Sequence, residues 1–233
     1  MTKTARQLVL ELSHRPALGR DDFLVTPSNA AAVAMIDQWP AWPAPAVLLA
    51  GPTGSGKSHL VEVWRQRSGA TRIEADYLRG DDVPDLIAGG AVVVENAPGE
   101  ALDETALFHL LNHGRDEGAT LLLTAAHHPA LWRVKLPDLL SRLNALPVAE
   151  LGPPDDALLR GLLVKLFADR QLAIDEPVIS YLIARMPRSA GAARALVAEI
   201  DRQALENKIE ISRSFVAKVL GGLNAPDLFA DEG

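Results

Sequence analysis

The stretch GPTGSGKS (51–58) decides the fold of this chain, because it matches the phosphate-binding pattern G-x-x-x-x-G-K-[S/T]. It follows the apolar run AVLLA (46–50) and precedes apolar residues at helical spacing, Leu60, Val61 and Trp64. A strand, a glycine-rich loop and a helix in this order let backbone N–H groups close around phosphates at a helix N-terminus. A chance match has odds of about one per cent. The alternative, a glycine-rich turn with a solvated lysine, is therefore disfavoured.

The loop predicts a set of residues that contact a nucleotide, ADP or ATP with Mg²⁺. Lys57 is expected to bridge the β- and γ-phosphate oxygens, and Ser58 is expected to bind the magnesium ion. The full set of loop candidates is Gly51, Pro52, Thr53, Gly54, Ser55, Gly56, Lys57, Ser58 and His59.

Further apolar runs extend the pattern in both directions from the loop. They are TRIE (71–74), AVVVE (91–95), TLLLTA (120–125) and LPVAEL (146–151), separated by helical patterns. Near-continuous apolar strands that alternate with helices predict an α/β fold with a five-stranded parallel sheet covered on both faces.

The pattern changes after Gly152-Pro153-Pro154, where leucines begin to recur at helical spacing with no further strand-like run. We expect a base over 23–152, a small all-helical lid over 153–222, a polar tail over 1–22 and an acidic tail over 223–233. Within the lid, helices are expected over 176–185, 190–206 and 212–220, the last with Ser212 as N-cap and Gly221 as stop.

Composition limits the classes of function. The chain has 233 residues, 48% of them hydrophobic, and a net charge of −7, so strong direct DNA binding is disfavoured. Cysteine is absent, which excludes disulfides and thiolate metal sites. No apolar run approaches the roughly 18 residues of a spanning helix. The expectation is a cytoplasmic protein that does not enter the membrane.

The stretch AVVVENAP (91–98) ends a predicted strand in Glu95 and Asn96. Glu95 is suited to hold Mg²⁺ indirectly, through the waters that the ion retains. Asn96 stands where an acid would activate the attacking water, and an amide cannot accept the proton. Because general-base help contributes about 10²- to 10⁴-fold, the sequence predicts nucleotide retention with slow hydrolysis. The alternative is that the two residues only end the strand and cap the next turn.

The order of these features over 22–220 resembles the AAA+ ATPases, and within them the replication initiators of the DnaA family. DDFLVTPSNAAA (21–32) is similar to the segment that lines the initiators' adenine pocket, which implies Phe23, Leu24, Val25 and Asn29 as base-pocket residues. The helix LPDLLSRL (136–143) is similar to the segment that carries an arginine finger. The resemblance implies that Arg142 acts in trans on a neighbour's nucleotide, that Arg194 contacts phosphates from the lid, and that Thr124 helps to orient the reacting water.

The N-terminal stretch QLVLEL, together with a lid not followed by a DNA-binding domain, resembles the Hda family of regulatory inactivators of DnaA. The resemblance implies that Gln7, Leu8, Leu10 and Leu12 dock on the β subunit of the DNA polymerase sliding clamp. A glutamine at a pocket edge with alternate leucines filling it is a plausible extended peptide. Glu11 stands where the family favours proline, so lower clamp affinity is expected. The implied function is negative regulation of replication initiation, by stimulating hydrolysis of DnaA-bound ATP.

Other interpretations stay open at this point. A helicase loader or transposition-type AAA+ ATPase would share the loop, the lid and the arginine, but it would need a basic DNA-contacting surface. A nucleotide-independent adaptor would leave Lys57 and Ser58 without a role, and an independent P-loop kinase would do the same to Arg142 and QLVLEL. The sequence does not decide whether the chain also forms a homo-oligomer.

Overall fold

The strands and helices of the first part of the chain alternate as the sequence predicts. The computed structural model describes residues 19–20 and 23–223. The clamp-binding-like stretch 7–12 and the acidic tail beyond residue 223 lie outside the described residues. The strands are β1 Ala46–Ala50, β2 Thr71–Glu74, β3 Ala91–Ala97, β4 Thr120–Ala125 and β5 Val148–Glu150. The helices are α1 Ala30–Asp37, α2 Lys57–Ser68, α3 Val83–Ala88, α4 Glu104–Asp116, α5 Pro137–Asn144, α6 Asp156–Asp169, α7 Glu176–Ile183, α8 Ala190–Asn207 and α9 Arg213–Leu223.

The five strands form one parallel sheet in the order β2-β3-β4-β1-β5. Alternate side chains of β1 point to two different cores, because strand residues alternate between the faces of a sheet. Leu48 packs with residues of α3, α4 and α5 on one face, and Leu49 packs with residues of α1 and α2 on the other. The predicted sheet, covered on both faces, is confirmed.

This topology fixes where a site can form. In a parallel sheet the carboxyl ends of all strands lie at one edge, and ligands bind in the crevice outside that edge. The loop 51–56 after β1, Glu95 and Asn96 near the end of β3, and Thr124 in β4 therefore meet at the same edge.

The helices α6 to α9 pack around a core of their own. Its largest fully buried side chain is Phe167, surrounded by residues such as Leu163, Leu182 and Leu196. The Ser212 hydroxyl accepts a hydrogen bond from Phe215 N at 3.3 Å, so the predicted N-cap of α9 is confirmed. None of the described helices is long and apolar enough to cross a membrane.

The prediction that Gly221 stops the last helix is wrong. Helix α9 continues through Gly221 and Gly222 to Leu223. Neither glycine has a positive φ, and a Cβ on either would meet nothing within 4 Å. A glycine ends a helix only where the chain enters the left-handed conformation, which does not happen at these two positions.

Candidate functional site

The phosphate-binding loop leaves β1 directly and enters α2 at Lys57. Gly54 and Gly56 have φ values of 73° and 103°, a region in which glycine is favoured because other residues place a Cβ against the backbone. The Lys57 ammonium donates hydrogen bonds to the carbonyl oxygens of Gly51 at 2.6 Å and Pro52 at 3.0 Å. Burial lowers the pKa of Lys57, and the charge of Glu95 acts in the opposite direction. The lysine is thus held at the loop, close to where phosphates would lie.

A cavity of about 180 Å³ opens between the loop and the lid. Several predicted contact residues line it together: Phe23, Leu24, Asn29, Ser55, Gly56, His59 and Arg194. The rings of Phe23 and His59 meet edge to face, with centroids 4.9 Å apart. Ser55 Oγ is buried and has no hydrogen-bond partner among the described residues, which leaves an unsatisfied polar atom for a ligand.

Two predicted base-pocket residues differ from the rest: Asn29 lines the cavity but has its amide bound within the turn, and Val25 does not line the cavity. Both ends of the buried Asn29 amide are used locally: Oδ1 accepts from Thr26 N, and Nδ2 donates to Leu24 O, each at 2.9 Å. Asn29 therefore shapes the turn that carries Phe23 and Leu24. Val25 is 48% exposed and is not among the residues that line the cavity.

Arg194 projects from α8 into the cavity. The described part of the chain contains no hydrogen-bond or ion-pair partner for its guanidinium. Burial lowers the pKa of Arg194, which means that the charged form is desolvated without a compensating anion. A phosphate in the cavity would supply that anion.

The leucines of α6 that line the cavity were not predicted as site residues. Leu158, Leu162 and Leu166 line the cavity, and Leu162 and Leu166 also pack against the lid core, in which the neighbouring row, with Leu159 and Leu163, is buried. Two adjacent apolar rows on one helix are more than a single core requires. The second apolar row was therefore the signal in the sequence that could have identified the cavity-lining leucines.

The lid also touches the loop directly. Ala190 N, at the start of α8, donates a hydrogen bond to Gly54 O at 3.0 Å. Ser189 caps the helix by accepting from Gly191 N and Ala192 N. A Cβ on Gly54 would lie 2.1 Å from Ser189 Oγ, so only glycine allows this approach.

At the end of β3, Glu95 and Asn96 belong to a polar network that reaches the edge strand β2. Glu95 is 3% exposed, and its Oε2 lies 3.0 Å from Arg72 Nη2. Burial raises the pKa of Glu95, and the Arg72 charge opposes the increase. Asn96 has a φ of 57° at a break in the strand register, and its Nδ2 donates to Glu74 Oε2 at 2.8 Å. The Asn96 amide is therefore directed at β2.

Thr124 lies beside this network and is 1% exposed. Its Oγ1 accepts a hydrogen bond from Asn96 N at 3.0 Å. The hydroxyl therefore fixes the backbone at the strand break and retains its own proton for donation.

The residues present fit a magnesium ion. Glu95 Oε1 is buried and has no hydrogen-bond partner in the described structure, and Ser58 stands in the first turn of α2. An ionised carboxylate with a free oxygen and a hydroxyl are the oxygen ligands that Mg²⁺ takes, directly or through water.

Arg142 lies apart from all of these residues. It occupies the last turn of α5, just before β5, and lines a second cavity of about 600 Å³ with Pro45, Phe108, Leu111 and Arg115. The two cavities share no lining residue. Its guanidinium makes no hydrogen bond or ion pair within residues 19–20 and 23–223.

Comparison with known proteins gives a consistent picture of the fold. No protein-family model matches the chain. An uncharacterized protein of Haemophilus influenzae is 26% identical over 185 residues, which are 73% of this chain and 79% of that protein. Domain III of the replication initiation protein DnaA of Thermotoga maritima superposes with a TM-score of 0.76 at 18% identity, covering 91% of this chain and 99% of that domain.

Two further solved structures extend the comparison. The RuvB Holliday junction branch migration motor of Thermotoga maritima gives a TM-score of 0.70 at 17% identity, covering 88% of this chain and 72% of RuvB. AMPPCP-bound DnaA of Aquifex aeolicus gives 0.66 at 14% identity, covering 83% and 70%. The chain therefore has the same fold as domain III of DnaA, a five-stranded parallel sheet with flanking helices followed by a helical lid.

Proposed function

We propose that this chain is a nucleotide-bound AAA+ regulator of replication initiation. It holds ADP in its own cavity and presents Arg142 to ATP bound by DnaA, which it thereby inactivates. The observation that carries the proposal is Arg142 itself, an arginine with no described anion partner, on a cavity separate from the chain's own phosphate loop. An arginine finger of this kind is worth about 10³- to 10⁵-fold in hydrolysis.

Several groups support retention of a nucleotide, ADP or ATP. Arg194 and the unsatisfied Ser55 line the space between loop and lid, and Lys57 is held at the loop by the Gly51 and Pro52 carbonyls. Mg²⁺ would be held by Ser58 directly and by Glu95 through water. Nucleotide analogues are bound by two DnaA structures with the same fold.

The chain's own hydrolysis is proposed to be slow. Asn96 cannot take a proton, and its amide is bound to Glu74 Oε2. The Thr124 hydroxyl accepts a hydrogen bond from Asn96 N, so it can donate its own proton to a water but is not a base that activates that water. Nucleotide in this cavity then serves to hold base and lid in one arrangement, and the chemistry occurs in the partner's site.

The N-terminal stretch 7–12 supplies the second part of the proposal. Gln7, Leu8, Leu10 and Leu12 are proposed to bind the sliding clamp as an extended peptide. Tethering to the clamp would raise the local concentration of the regulator near DnaA without new contacts between the two proteins. A cytoplasmic protein with net charge −7 would reach DNA through the clamp rather than by binding it strongly itself.

The test is a reconstituted assay of ATP hydrolysis by DnaA. The purified chain with ADP is mixed with clamp loaded on DNA and with ATP-charged DnaA. We expect the wild type to stimulate hydrolysis, Arg142→Ala to remove about 10³-fold of that stimulation, and the Gln7→Ala/Leu8→Ala pair to remove it at low protein concentration only.

Arg115→Ala is the matched control, because Arg115 lines the same cavity but is paired with Asp116. It should retain most of the stimulation. A wild-type chain that binds ADP yet never stimulates DnaA would contradict the proposal. The similarity to RuvB would then favour an AAA+ ATPase that acts on DNA, and measurable DNA-dependent turnover by the chain alone would support that candidate.

A further inference from the structure

Glu95 forms an ion pair with an arginine of the edge strand β2, Arg72. The carboxylate is 3% exposed, and Arg72 Nη2 lies 3.0 Å from its Oε2. Within the described residues this is the one ion pair that Glu95 makes. A buried carboxylate is strongly disfavoured unless a cation lies beside it, and in this structure that cation is the Arg72 guanidinium.

The other nearby cation, Lys57, does not form an ion pair with Glu95. Lys57 Nζ donates to two backbone carbonyls of the loop, those of Gly51 and Pro52, and makes no ion pair with Glu95 in the described chain. The electrostatic attraction between the two side chains is present but acts over a longer distance. In a nucleotide complex Lys57 would turn to the phosphates and leave Arg72 as the neighbour of Glu95.

Arg72 is itself held in place. The same Nη2 lies 3.3 Å from Glu74 Oε1, and Glu74 Oε2 accepts a hydrogen bond from Asn96 Nδ2. The guanidinium is thus bound between two carboxylates, and the second of them is fixed by the residue next to Glu95. Glu95 Oε1 is a buried oxygen of this network that has no hydrogen-bond partner among the described residues.

We propose that Arg72 reduces the gain in nucleotide affinity that Mg²⁺ brings to this chain. In this sense Arg72 is a specificity-determining residue, because it decides how strongly the site prefers the nucleotide with Mg²⁺ to the nucleotide without it. The inference rests on the proposed nucleotide and magnesium site. Because the guanidinium already neutralises the carboxylate, a cation gains less from Glu95 than it would from an unpaired acid. The chain then holds a nucleoside diphosphate almost as tightly without Mg²⁺ as with it.

The experiment is a titration with a fluorescent ADP analogue, done once with saturating Mg²⁺ and once with EDTA. The measured quantity is the ratio of the two Kd values. For the wild type we expect a ratio below about threefold. For Arg72→Gln, which removes the charge but keeps hydrogen-bonding groups, we expect the ratio to increase by about tenfold, the size of one lost charge contact at a half-exposed site.

Three controls make the ratio interpretable. Arg72→Lys retains the charge and should keep the wild-type ratio. Arg72→Gln/Glu95→Gln removes the carboxylate as well and should return the ratio to below about threefold. Arg115→Gln changes an exposed arginine elsewhere in the base and should have no effect.

The outcomes separate this inference from the proposed function. An ion pair with a structural role alone would lower the melting temperature of Arg72→Gln and leave the ratio unchanged, which overturns the inference. A wild-type chain that binds ADP only with Mg²⁺ overturns it too, while leaving nucleotide binding intact. Absence of ADP binding under both conditions overturns the inference and the proposed function together.

If Arg72→Gln does not fold, Glu95→Gln in the otherwise wild-type chain gives an independent test. A carboxylate already neutralised by Arg72 predicts a change in the ratio of less than about threefold on this substitution. A wild-type ratio of about tenfold or more that Glu95→Gln lowers to below about threefold would show that Mg²⁺ uses Glu95 fully, and would overturn the inference.

Discussion

The two cavities of the molecule differ in how their arginines are surrounded. Arg194 is partly buried where it lines the cavity between base and lid, and burial lowers its pKa. Arg142 lines the cavity beside α5, on the sheet face opposite α2, with apolar neighbours such as Phe108 and Leu111. Both lack an anion partner among the described residues, but only Arg194 shares a cavity with the phosphate loop.

The difference separates binding from chemistry. The first cavity has what a nucleotide needs, cations and unsatisfied donors around a glycine-rich loop, but the acid beside it is replaced by Asn96. The second cavity has Arg142, the arginine finger that we propose, but no phosphate loop. A protein built in this way would bind nucleotide at one place and act on a partner's nucleotide from the other. Substitutions in the two regions should therefore have separable effects.

Removal of Lys57 should have the largest effect on the first cavity. Lys57→Ala is expected to weaken ADP binding about 100-fold, because charged hydrogen bonds to phosphate contribute about 1.5–3 kcal/mol each. A nucleotide titration checks this, with Lys218→Ala, an exposed lysine on α9, as the control. Binding within threefold of wild type would show that the loop is not the phosphate site.

A substitution at the contact between lid and loop should lower the free energy of unfolding. Gly54 and Gly69 have nearly the same φ, 73° and 70°, but a Cβ on Gly54 would lie 2.1 Å from Ser189 Oγ, whereas one on Gly69 would meet nothing within 4 Å. We expect Gly69→Ala to cost about 1 kcal/mol from backbone strain alone, and Gly54→Ala about 2 kcal/mol or more. Urea unfolding measures both, and equal losses would mean that the lid does not rest on the loop.

The comparison of the two arginines is tested directly by ADP affinity. Arg194→Ala should weaken binding about tenfold, since it removes one charge-assisted contact to phosphate. Arg142→Ala should leave the Kd within twofold of wild type. If Arg142→Ala weakened ADP binding as much as Arg194→Ala, the two cavities would not be functionally separate.

The sequence predicted those features whose signal is local. Buried parallel strands appear in a sequence as continuous apolar runs, and the phosphate loop appears as a fixed motif, so all five strands were predicted. In the structure β3 ends two residues later than its predicted run, and β5 is shorter than its predicted run. The resemblance implied that Phe23 and Arg194 approach the phosphate loop, but other contacts between distant segments were not predicted. Arg72 lies in a four-residue strand with no visible reason to face Glu95, and the pairing follows only from the register of β2 against β3. The lining role of Leu158 was likewise hidden in a helix that has two apolar rows.

The smallest expected effect concerns the N-cap residues of two helices. Asp155 caps α6, which borders the cavity between base and lid, and its carboxylate accepts a hydrogen bond from Leu158 N. Asp103 caps α4, which borders the second cavity, and its carboxylate accepts a hydrogen bond from Ala106 N. Replacing either by alanine should cost about 1 kcal/mol of unfolding free energy. Only Asp155→Ala should also weaken ADP binding, by about twofold, because α6 carries the cavity leucines.

The pH dependence of the Asp155 cap sharpens this contrast. The hydrogen bond from Leu158 N holds the pKa of the Asp155 carboxyl below its usual range. A lowered pKa in the folded state means that the ionic part of the stabilisation is fully present above the unfolded pKa of about 3.9 and is lost as the pH falls through the folded value. The difference in stability between wild type and Asp155→Ala should therefore shrink in acid.

The difference between wild type and Asp155→Asn, which caps without a charge, should be small at pH 7, and below the folded pKa it should vanish or change sign. Urea titrations at neutral and acidic pH measure both differences. A wild-type advantage over Asp155→Ala that is constant across this range would show that the carboxylate charge contributes nothing and that only its hydrogen bond matters.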